Sequence, residues 1–541
     1  MANGVSIGGS RMTVFLCLAA LAPAETADAQ TEPGYMVQSE FGDPLSCDMM
    51  AQGVFLVWWD IQNDLSEEAA VLLDSMSAYR QTCLDSLEME DPPNPQDGYY
   101  FNVYLHEEGD VFPDGWACGV GTDCYGYPYM TLPIGVLGNW MTISHESFHV
   151  FQYSSDAPGF DDVDVFWYIE ASANWFAAKR YPEVPNAFLE AESLVRIPQV
   201  AMWLGYDNFP GYYPENWQRY VHQYAMALFL FYLTEEVGVP TSVVCDGFYN
   251  GDELQMLLPQ EYLYTEVGGE GLREHFMDWA AHMTNDFDFI LPSQRETAEE
   301  EWEAYADPDD DNEFVQVYLD SGSGGWYSPP DSLTTTAWSF NTYKVLNQSD
   351  AAYSFHLVGD SLGSEGDSSY FLGKVLVRNA ITGASIYDLE MTGDTEGSVS
   401  VEVTEADTAL CLIVGSLPEA FEGAEQLFDY QVSIEKAATS VGQTLRRRPP
   451  AARLDGCRPN PFESMVVIEY VVPAGSSARL AVYDLQGRLV AALVDGPVAA
   501  GRHDAVWDGR DASSEQVPCG VYLLRLEAEG TVDLGRLMLL R

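Results

Sequence analysis

Positively charged residues are scarce in this chain. Its 541 residues include 24 lysines and arginines against 84 acidic residues, a formal net charge of −60 at pH 7. Such a polyanion repels nucleic-acid phosphates and anionic membranes, so the charge balance argues against both as partners. It fits solubility in a salty exterior or Ca²⁺ binding. The acidic stretch Asp307–Glu313 (DPDDDNE) offers the oxygen ligands that calcium prefers. It lacks the spacing of an EF-hand loop, and a solvated linker is the favoured interpretation.

Long apolar segments are missing as well. Residues 1–29 combine Arg11, the apolar run Met12–Ala22 and the small-residue pattern Ala27-Asp28-Ala29. These features are typical of a secretory signal peptide, and the run is too short to span a bilayer. We therefore expect a secreted, extracellular or cell-surface protein without a transmembrane segment.

Closely spaced cysteine pairs of the C-x-x-C type are also missing, which disfavours a cysteine-bound zinc site. Nine cysteines occur, and removal of residues 1–29 with Cys17 leaves eight, an even number that suits an oxidising compartment. Plausible disulfides join Cys118 to Cys124, Cys47 to Cys83, and Cys457 to Cys519, which leaves Cys245 and Cys411 over. The sequence does not determine the connectivity.

The chain has only 8 histidines, and two of them lie in the sequence His145-Glu146-Ser147-Phe148-His149. This H-E-x-x-H motif sits in Asn139–Tyr153, which contains no glycine or proline and is typical of a buried helix. Residues four apart share a helix face, so His145 and His149 could bind one metal ion while Glu146 holds a water. The alternative is a helix with two histidines that happen to be four residues apart.

A second helix is predicted over Asp162–Lys179, which is rich in alanine and aromatic residues and carries one central acid, Glu170. A carboxylate in an apolar stretch is costly unless it is paired or metal-bound, so Glu170 is a candidate third ligand. The alternative is a local ion pair with Lys179 or Arg180. Asn174 follows one turn later on the same face and could accept the ring N–H of a ligand histidine.

The motif HESFH, followed by Trp167–Trp175 (WYIEASANW), resembles the gluzincin metallopeptidases. The resemblance implies that Zn²⁺ is bound by His145, His149 and Glu170, with Glu146 as the general base. Many gluzincins have an aspartate where this chain has Asn174, which affects the polarisation of a ligand histidine rather than the coordination.

Gluzincins commonly supply a tyrosine or histidine that stabilises the oxyanion. The long helix predicted over Asn216–Glu236 offers Tyr220, His222 and Tyr224, of which we favour Tyr224 as the catalytic residue. Core packing is the alternative role for each of them, because aromatic residues in apolar helices usually pack in the core.

Residues 31–305 are predicted to form an α+β, zincin-like catalytic domain. Phe55–Trp59 and Ala69–Tyr79 suggest helices, whereas Tyr99–His106 and Tyr127–Leu132 read as strands. The second strand could be an edge that pairs with extended substrate, or an ordinary sheet edge.

Short alternating strands separated by Gly, Ser and Asp turns predict a β-sandwich over residues 314–437. Examples are Tyr353–Val358, Lys374–Arg378, Val399–Val403 and Ala409–Val414. Residues 438–452, rich in arginine and proline, are expected to be a linker.

Residues 453–541 form a predicted all-β domain with an Ig-like β-sandwich. The segments Arg458–Phe462, Leu480–Val490, Gly501–Gly509 and Gly520–Arg525 resemble FlgD-type immunoglobulin-like domains of secreted bacterial proteins. The resemblance implies contact with secretion machinery, for example type IX, or attachment to the cell surface. The alternative is a passive spacer.

The sequence thus predicts a multidomain, secreted zinc endopeptidase that acts on protein or peptide substrates. Two alternatives remain. One is a non-enzymatic surface adhesin or structural protein with a degenerate zincin domain. The other is a zinc hydrolase of a non-peptide amide.

Overall fold

The structure is a computed structural model that divides the chain into two compact units. The first comprises Met1–Leu194, Trp203–Leu272 and Leu291–Pro308, and the second comprises Val195–Met202, Arg273–Ile290 and Asp309–Arg541. It describes residues 35–38, 46–107, 118–154, 165–182, 184, 187–209, 217–246, 258–305, 317–320, 325–346, 348–380, 382–421, 426–436, 453–458, 462, 465–472, 476–483, 488–499, 501–511, 516–528 and 531–540. The predicted signal peptide, the acidic stretch Asp307–Glu313 and the predicted linker lie outside these residues.

The described helices are α1 (Ser66–Asp85), α2 (Pro93–Gln96), α3 (Trp140–Ser154), α4 (Phe166–Arg180), α5 (Glu192–Arg196), α6 (Trp217–Ala225), α7 (Ala227–Tyr232), α8 (Thr241–Asp246), α9 (Pro259–Val267), α10 (Gly269–Thr284) and α11 (Pro292–Tyr305). None of these helices is long and apolar enough to cross a membrane.

The strands of the first unit are β1 (Cys47–Gln52), β2 (Phe55–Asp60), β3 (Phe101–His106), β4 (Cys118–Thr122) and β5 (Pro128–Pro133). They form one mixed sheet in the order β1-β2-β3-β5-β4, with β2, β3 and β5 parallel and the two edge strands antiparallel. The first unit is therefore a mixed α/β structure.

Two expectations about this sheet are wrong. Phe55–Trp59 is a strand rather than a helix, because its buried run of apolar side chains lies between β1 and β3, inside the sheet. The strand predicted over Tyr127–Leu132 is present as β5, but it pairs with both β3 and β4 and so has no free edge for substrate. The edge position belongs to β4.

The helices of the first unit follow the sequence pattern more closely. In α1 the buried residues include Leu72, Met76 and Tyr79, three to four positions apart, which is the spacing of an amphipathic helix. The helix predicted over Asn216–Glu236 is divided at Met226 into α6 and α7. It then widens into a π-helix, Leu233–Val237, and ends at Gly238, whose φ of 81° is a left-handed conformation that glycine tolerates.

The β-rich second unit begins with β6 (Val317–Asp320), β7 (Trp326–Tyr327), β8 (Ser339–Leu346), β9 (Ala351–Gly359), β10 (Phe371–Asn379), β11 (Gly383–Asp388), β12 (Glu390–Met391), β13 (Glu396–Val403), β14 (Asp407–Ser416) and β15 (Tyr430–Lys436). They form two five-stranded sheets, ordered β11-β10-β14-β8-β6 and β12-β13-β9-β15-β7. The four example strands of the predicted sandwich are therefore confirmed as parts of β9, β10, β13 and β14.

The C-terminal strands are β16 (Arg453–Arg458), β17 (Val466–Val472), β18 (Ser476–Tyr483), β19 (Leu489–Val498), β20 (Gly501–Trp507), β21 (Gly520–Ala528) and β22 (Thr531–Leu539). They form two sheets, ordered β16-β17-β20 and β19-β18-β21-β22. Trp507 packs with its ring 5.0 Å from that of Tyr522 in a core formed by both sheets. This arrangement agrees with the predicted Ig-like sandwich.

Two of the plausible disulfides are absent. Cys47, Cys83 and Cys519 carry free thiols, which contradicts the pairs Cys47–Cys83 and Cys457–Cys519. Burial raises the pKa of the Cys83 thiol, and the electrostatic influence of Cys245 raises it further. The pair Cys118–Cys124 involves a side chain outside the described set.

Candidate metal centre

Helix α3 presents the H-E-x-x-H motif from inside the first unit. Phe148 and Val150 are almost fully buried and anchor the helix in the core. His145 and His149 project from one face, one turn apart, with ring centroids separated by 4.6 Å. The predicted helix and the shared face are both present.

Helix α4 packs against α3 and brings Glu170 to the two histidines. Its Oε2 lies 3.2 Å from His145 Nε2 and 3.6 Å from His149 Nε2, and the two Nε2 atoms are 3.0 Å apart. All three side chains are at least nine-tenths buried. Across the described residues, these three form the one group of histidine, cysteine and acidic side chains placed to share a metal ion.

The spacing of the three ligand atoms fits zinc. Ligand atoms of a tetrahedral site, each about 2.0–2.2 Å from the metal, lie roughly 3.3 Å apart. The observed separations of 3.0, 3.2 and 3.6 Å bracket that value. Two imidazoles and one carboxylate with a fourth position left over is also the donor set of a catalytic rather than a structural zinc site.

Both histidines are held by hydrogen bonds at the ring nitrogen that faces away from the centre. His145 Nδ1 donates to Asn174 Oδ1 at 2.7 Å, and His149 Nδ1 donates to Gln152 Oε1 at 2.6 Å. A proton on each Nδ1 leaves the Nε2 lone pairs pointing at the shared centre, the arrangement typical of metal-ligating histidines. Asn174 therefore lies where the sequence analysis expected it.

Gln152 is a site residue that the sequence analysis missed. It is fully buried, and its amide nitrogen donates to Ile169 O at 3.1 Å and to Ser172 Oγ at 2.9 Å. One side chain thus orients His149 and fixes α3 to α4. Gln152 could have been predicted from its position three residues after His149, because residues three apart lie near each other on a helix surface.

Glu170 and His149 shift each other's pKa values in opposite directions. Burial acts to raise the pKa of Glu170, but His149 and His145 lower it to about 2, so its carboxylate is ionised. Burial acts to lower the pKa of His149, but the carboxylate of Glu170 raises it. A metal cation on the Nε2 atoms would replace that added proton and satisfy the same carboxylate.

Glu146 lies beside the ligands and has a different environment. Burial raises its pKa to about 7, and Glu170 adds to the rise, while His145 and His149 oppose it. No lysine or arginine among the described residues forms an ion pair with Glu146 or Glu170. The alternative ion pair between Glu170 and Lys179 does not form, because Lys179 bonds to Glu235.

Of the three oxyanion candidates, Tyr224 lies beside the cluster. Its ring is 6.0 Å from that of His145, and the ring of Tyr220 is 6.1 Å from Tyr224. His222 instead faces the core, where it is 1% exposed and its Nδ1 donates to Leu204 O at 2.9 Å. The structure therefore brings Tyr224 to the site and assigns His222 to packing.

Comparison with known proteins places most of the chain in one family. A model described as "Family of unknown function (DUF6055)" matches residues 62–437, more than half of the chain. The model for the FlgD Ig-like domain matches residues 463–531, which confirms the expectation for the C-terminal domain. No curated protein matches the chain.

Solved structures show only weak likeness. PorZ, a surface component of the type-IX secretion system of Porphyromonas gingivalis, is 20% identical over 20% of this chain and 14% of its own, with a TM-score of 0.13. A β-1,2-glucanase from Parabacteroides distasonis is 11% identical over 36% of this chain and 28% of its own, with a TM-score of 0.11. A Ruminococcus gnavus β-glucuronidase is 9% identical over 35% of each chain, with a TM-score of 0.13.

The chain thus spans no more than about a third of the length of these structures, and their TM-scores are too low to indicate a common fold. The family match over residues 62–437 covers much more of the chain, because it includes both the helices of the candidate site and the strands β6–β15. The chain belongs to the DUF6055 family of unknown function and carries a FlgD Ig-like domain at its C-terminal end.

Proposed function

We propose that this protein is a secreted, zinc-dependent endopeptidase of the gluzincin type, with a zincin-like α+β catalytic domain. The observation that carries the proposal is the convergence of His145 Nε2, His149 Nε2 and Glu170 Oε2 within 3.6 Å of one another. A structural zinc site would need no base, and Glu146 lies next to this one. The Ig-like domain would attach the enzyme to the secretion machinery or the cell surface.

Zinc held by these ligands would supply Lewis-acid polarisation of the scissile carbonyl and would lower the pKa of water. Glu146 accepts the proton of the attacking water and passes it to the leaving amine. Because burial raises its pKa to about 7, this carboxylate is poised to exchange a proton near neutral pH. Asn174 and Gln152 keep the two ligand histidines oriented throughout.

Tyr224 would steady the oxyanion. Burial raises the pKa of its phenol well above the ordinary value, and the carboxylate of Glu170 adds to the rise. The hydroxyl therefore keeps its proton at any working pH and remains a hydrogen-bond donor. A preorganised donor of this kind stabilises negative charge that develops on a carbonyl oxygen.

The test is the variant Glu146→Gln, which removes the base but leaves the three ligands in place. We expect zinc content by elemental analysis to stay at the wild-type level. Hydrolysis of a fluorescence-quenched peptide library should fall roughly 100- to 10,000-fold, the usual contribution of a general base. Glu67→Gln, which neutralises an exposed acid in the first turn of α1, is the matched control and should keep full activity.

Full peptidase activity in Glu146→Gln would contradict the mechanism. A wild-type protein that binds zinc but cleaves no peptide would favour the hydrolase of a non-peptide amide. A wild-type protein that binds no zinc even when zinc is supplied would favour the non-enzymatic surface protein.

A further inference from the structure

Three tyrosines of the first unit form a continuous line of ring contacts that starts at the candidate metal centre. The centre of the Tyr224 ring lies 6.0 Å from that of His145. The ring of Tyr220 lies 6.1 Å from Tyr224, and the ring of Tyr206 lies 5.8 Å from Tyr220. We call Tyr224, Tyr220 and Tyr206 the tyrosine row. The proposed mechanism uses only Tyr224, at the end of the row beside the ligands.

All three side chains of the tyrosine row are partly exposed. Helix α6 carries Tyr220 and Tyr224 four residues apart, so both lie on one face of the helix. Val221 and His222 lie between them in the sequence and are each 1% exposed. The helix therefore buries one face in the core and leaves the face with the tyrosines accessible, from the metal ligands outward.

The outer end of the row is held rigidly. Tyr206 lies in the short 3₁₀ helix Tyr206–Asn208, and its backbone N–H donates to Gln223 Oε1 of α6 at 3.0 Å. Arg219 Nε donates to Tyr206 O at 2.8 Å, and its guanidinium carbon lies 5.1 Å from the centre of the Tyr206 ring and 5.5 Å from that of Phe209. A surface that is already fixed loses little conformational freedom when a ligand binds.

The faces and edges of tyrosine rings attract two kinds of ligand group, cations and other aromatic rings. Arg219 already places a positive charge beside Tyr206, and a second cation there would be repelled. An aromatic side chain is uncharged and packs on tyrosine in tilted or edge-to-face arrangements. The row itself shows such arrangements, with interplanar angles of 44° between Tyr220 and Tyr224 and 73° between Tyr206 and Tyr220. An aromatic group therefore fits the row better than a cation.

We propose that Tyr220 and Tyr206 form a subsite for an aromatic side chain of the peptide substrate, which selects peptides that carry such a side chain close to the scissile bond. The proposal rests on the proposed function, because a peptide bond at the metal centre fixes where its neighbouring side chains lie. Tyr220 is two ring contacts away from His145. Two residues of extended peptide span roughly 7 Å, so the aromatic side chain belongs to the first or second residue from the scissile bond.

The experiment measures by calorimetry how tightly dipeptide hydroxamates bind the zinc-loaded full chain. In one series the hydroxamate ends an acetylated dipeptide, and in the other a malonyl hydroxamate begins a dipeptide amide, so the series extend to opposite sides of the scissile bond. Each series contains a diphenylalanine, a diglycine and a dilysine probe. The hydroxamate chelates zinc, so every probe is held at the site without turnover.

We expect the diphenylalanine probe of one series to bind at least about tenfold more tightly than its diglycine counterpart, because the ring gains aromatic contacts and is removed from water. The dilysine probe should not share this gain. Tyr220→Ala should abolish the preference and leave the affinity for the diglycine probe unchanged, which also shows that the zinc site is intact. Tyr220→Phe keeps the ring and should keep the preference.

The matched control is Tyr264→Ala, the same change at a partly exposed tyrosine of α9 that packs against Gly269. It should keep the wild-type preference. If Tyr220→Ala disturbs Tyr224 and weakens the diglycine probe as well, Tyr206→Ala replaces it. This variant changes the outer end of the row and should weaken the diphenylalanine probe alone.

Failure of the subsite differs from failure of the proposed function. Equal affinities of the diphenylalanine and diglycine probes in both series, or a preference that survives in Tyr220→Ala, would overturn the subsite and leave the zinc enzyme standing. A preference for the dilysine probe would show that the row selects cations, which is equally contrary to the proposal. A wild-type protein that binds no zinc would overturn the proposed function and this inference with it.

Discussion

Both compact units bury charged side chains, but they neutralise them differently. In the second unit Lys374 is 4% exposed, and its Nζ lies 2.8 Å from Asp278 and 2.5 Å from Asp388. Asp278 and Asp388 are 40% and 73% exposed, so water solvates the acidic partner in each of the two ion pairs. In the first unit the side chains of His145, His149 and Glu170 are all at most 10% exposed.

The comparison separates a buried charge that is paired with exposed acids from charges that are grouped in the candidate metal centre. Lys374 on β10 joins α10 to the sheet through Asp278, and the whole arrangement is complete without any ligand. The first unit gathers the carboxylates of Glu146 and Glu170 beside two imidazoles, with no lysine or arginine of the described residues in the cluster. Buried carboxylates cost stability unless other groups compensate them, and here the imidazoles of His145 and His149 are the groups in contact with Glu170.

The largest expected effect is the loss of zinc affinity when Glu170 of the candidate metal centre is replaced. Glu170→Ala removes one of three ligands, so zinc affinity should fall by well more than the roughly 100-fold that loss of an outer-shell partner costs. Chelator competition and elemental analysis measure this loss. Asp388→Asn removes an acid of the second unit and should leave zinc affinity unchanged. Zinc retained at wild-type affinity in Glu170→Ala would place the third ligand elsewhere and would make the gluzincin assignment wrong.

His222, a buried histidine of the first unit outside the cluster, makes stability depend on pH without any ligand. Burial lowers the pKa of His222 to about 4, although its hydrogen bond to Leu204 acts the other way. The unfolded chain binds this proton first, with a pKa near 6.5. The free energy of unfolding is therefore unaffected by His222 above about pH 6.5. As the pH falls from there toward 4, protonation of the unfolded chain lowers it by about 3 kcal/mol.

His222→Gln should remove this pH-dependent part, since glutamine does not titrate. The measurement is urea unfolding at pH 7 and pH 4.5, followed by the helical circular dichroism signal. His356→Gln, on β9 of the second unit, is the matched control and should keep the wild-type pH dependence. An acid-induced loss of the same size in His222→Gln and in the wild type would show that another group is responsible.

The smallest expected effect concerns the structural side of the comparison. Lys374→Met removes the buried charge and leaves only acids that water already solvates, so unfolding free energy should change by about 1 kcal/mol or less. The double variant Asp278→Asn with Asp388→Asn leaves the buried lysine with Glu274, 3.5 Å away, as its remaining acidic partner and should cost more, about 1–3 kcal/mol. Equal effects of the two variants would mean that the acids of this cluster are not needed to solvate Lys374.

The sequence predicted the elements that repeat a local pattern. Helix α3 was predicted from a run without glycine or proline, α4 from its alanine and aromatic content, and the strands of the second unit from alternation. The i, i+4 spacing places His145 and His149 on one face. Phe55–Trp59 was misassigned because a short apolar run is ambiguous between a buried helix and a buried strand. The sheet order that makes it a strand depends on β3, which lies about 45 residues further along the chain.

The disulfide expectations failed for a related reason. Cys47 and Cys83 are consecutive cysteines in the sequence, but α1 places the Cys83 side chain in a buried position and the Cys47 thiol does not pair with it. Sequence separation is a poor guide to which cysteines pair, because the packing of the helices determines which thiols lie close together. The roles of His222 and Tyr224 were likewise separated only when α6 was placed against α4, with one side chain facing the core and the other facing His145.

By itself the sequence determined the chemistry of the candidate site, since His145, Glu146 and His149 lie on one helical turn whose geometry is local. It also predicted the Ig-like domain, which depends on motifs within short segments. Only the tertiary structure decided that Glu170 reaches both imidazoles and that Asn174 and Gln152 orient them. Those contacts join separate helices, and their distances depend on how the side chains between the helices pack.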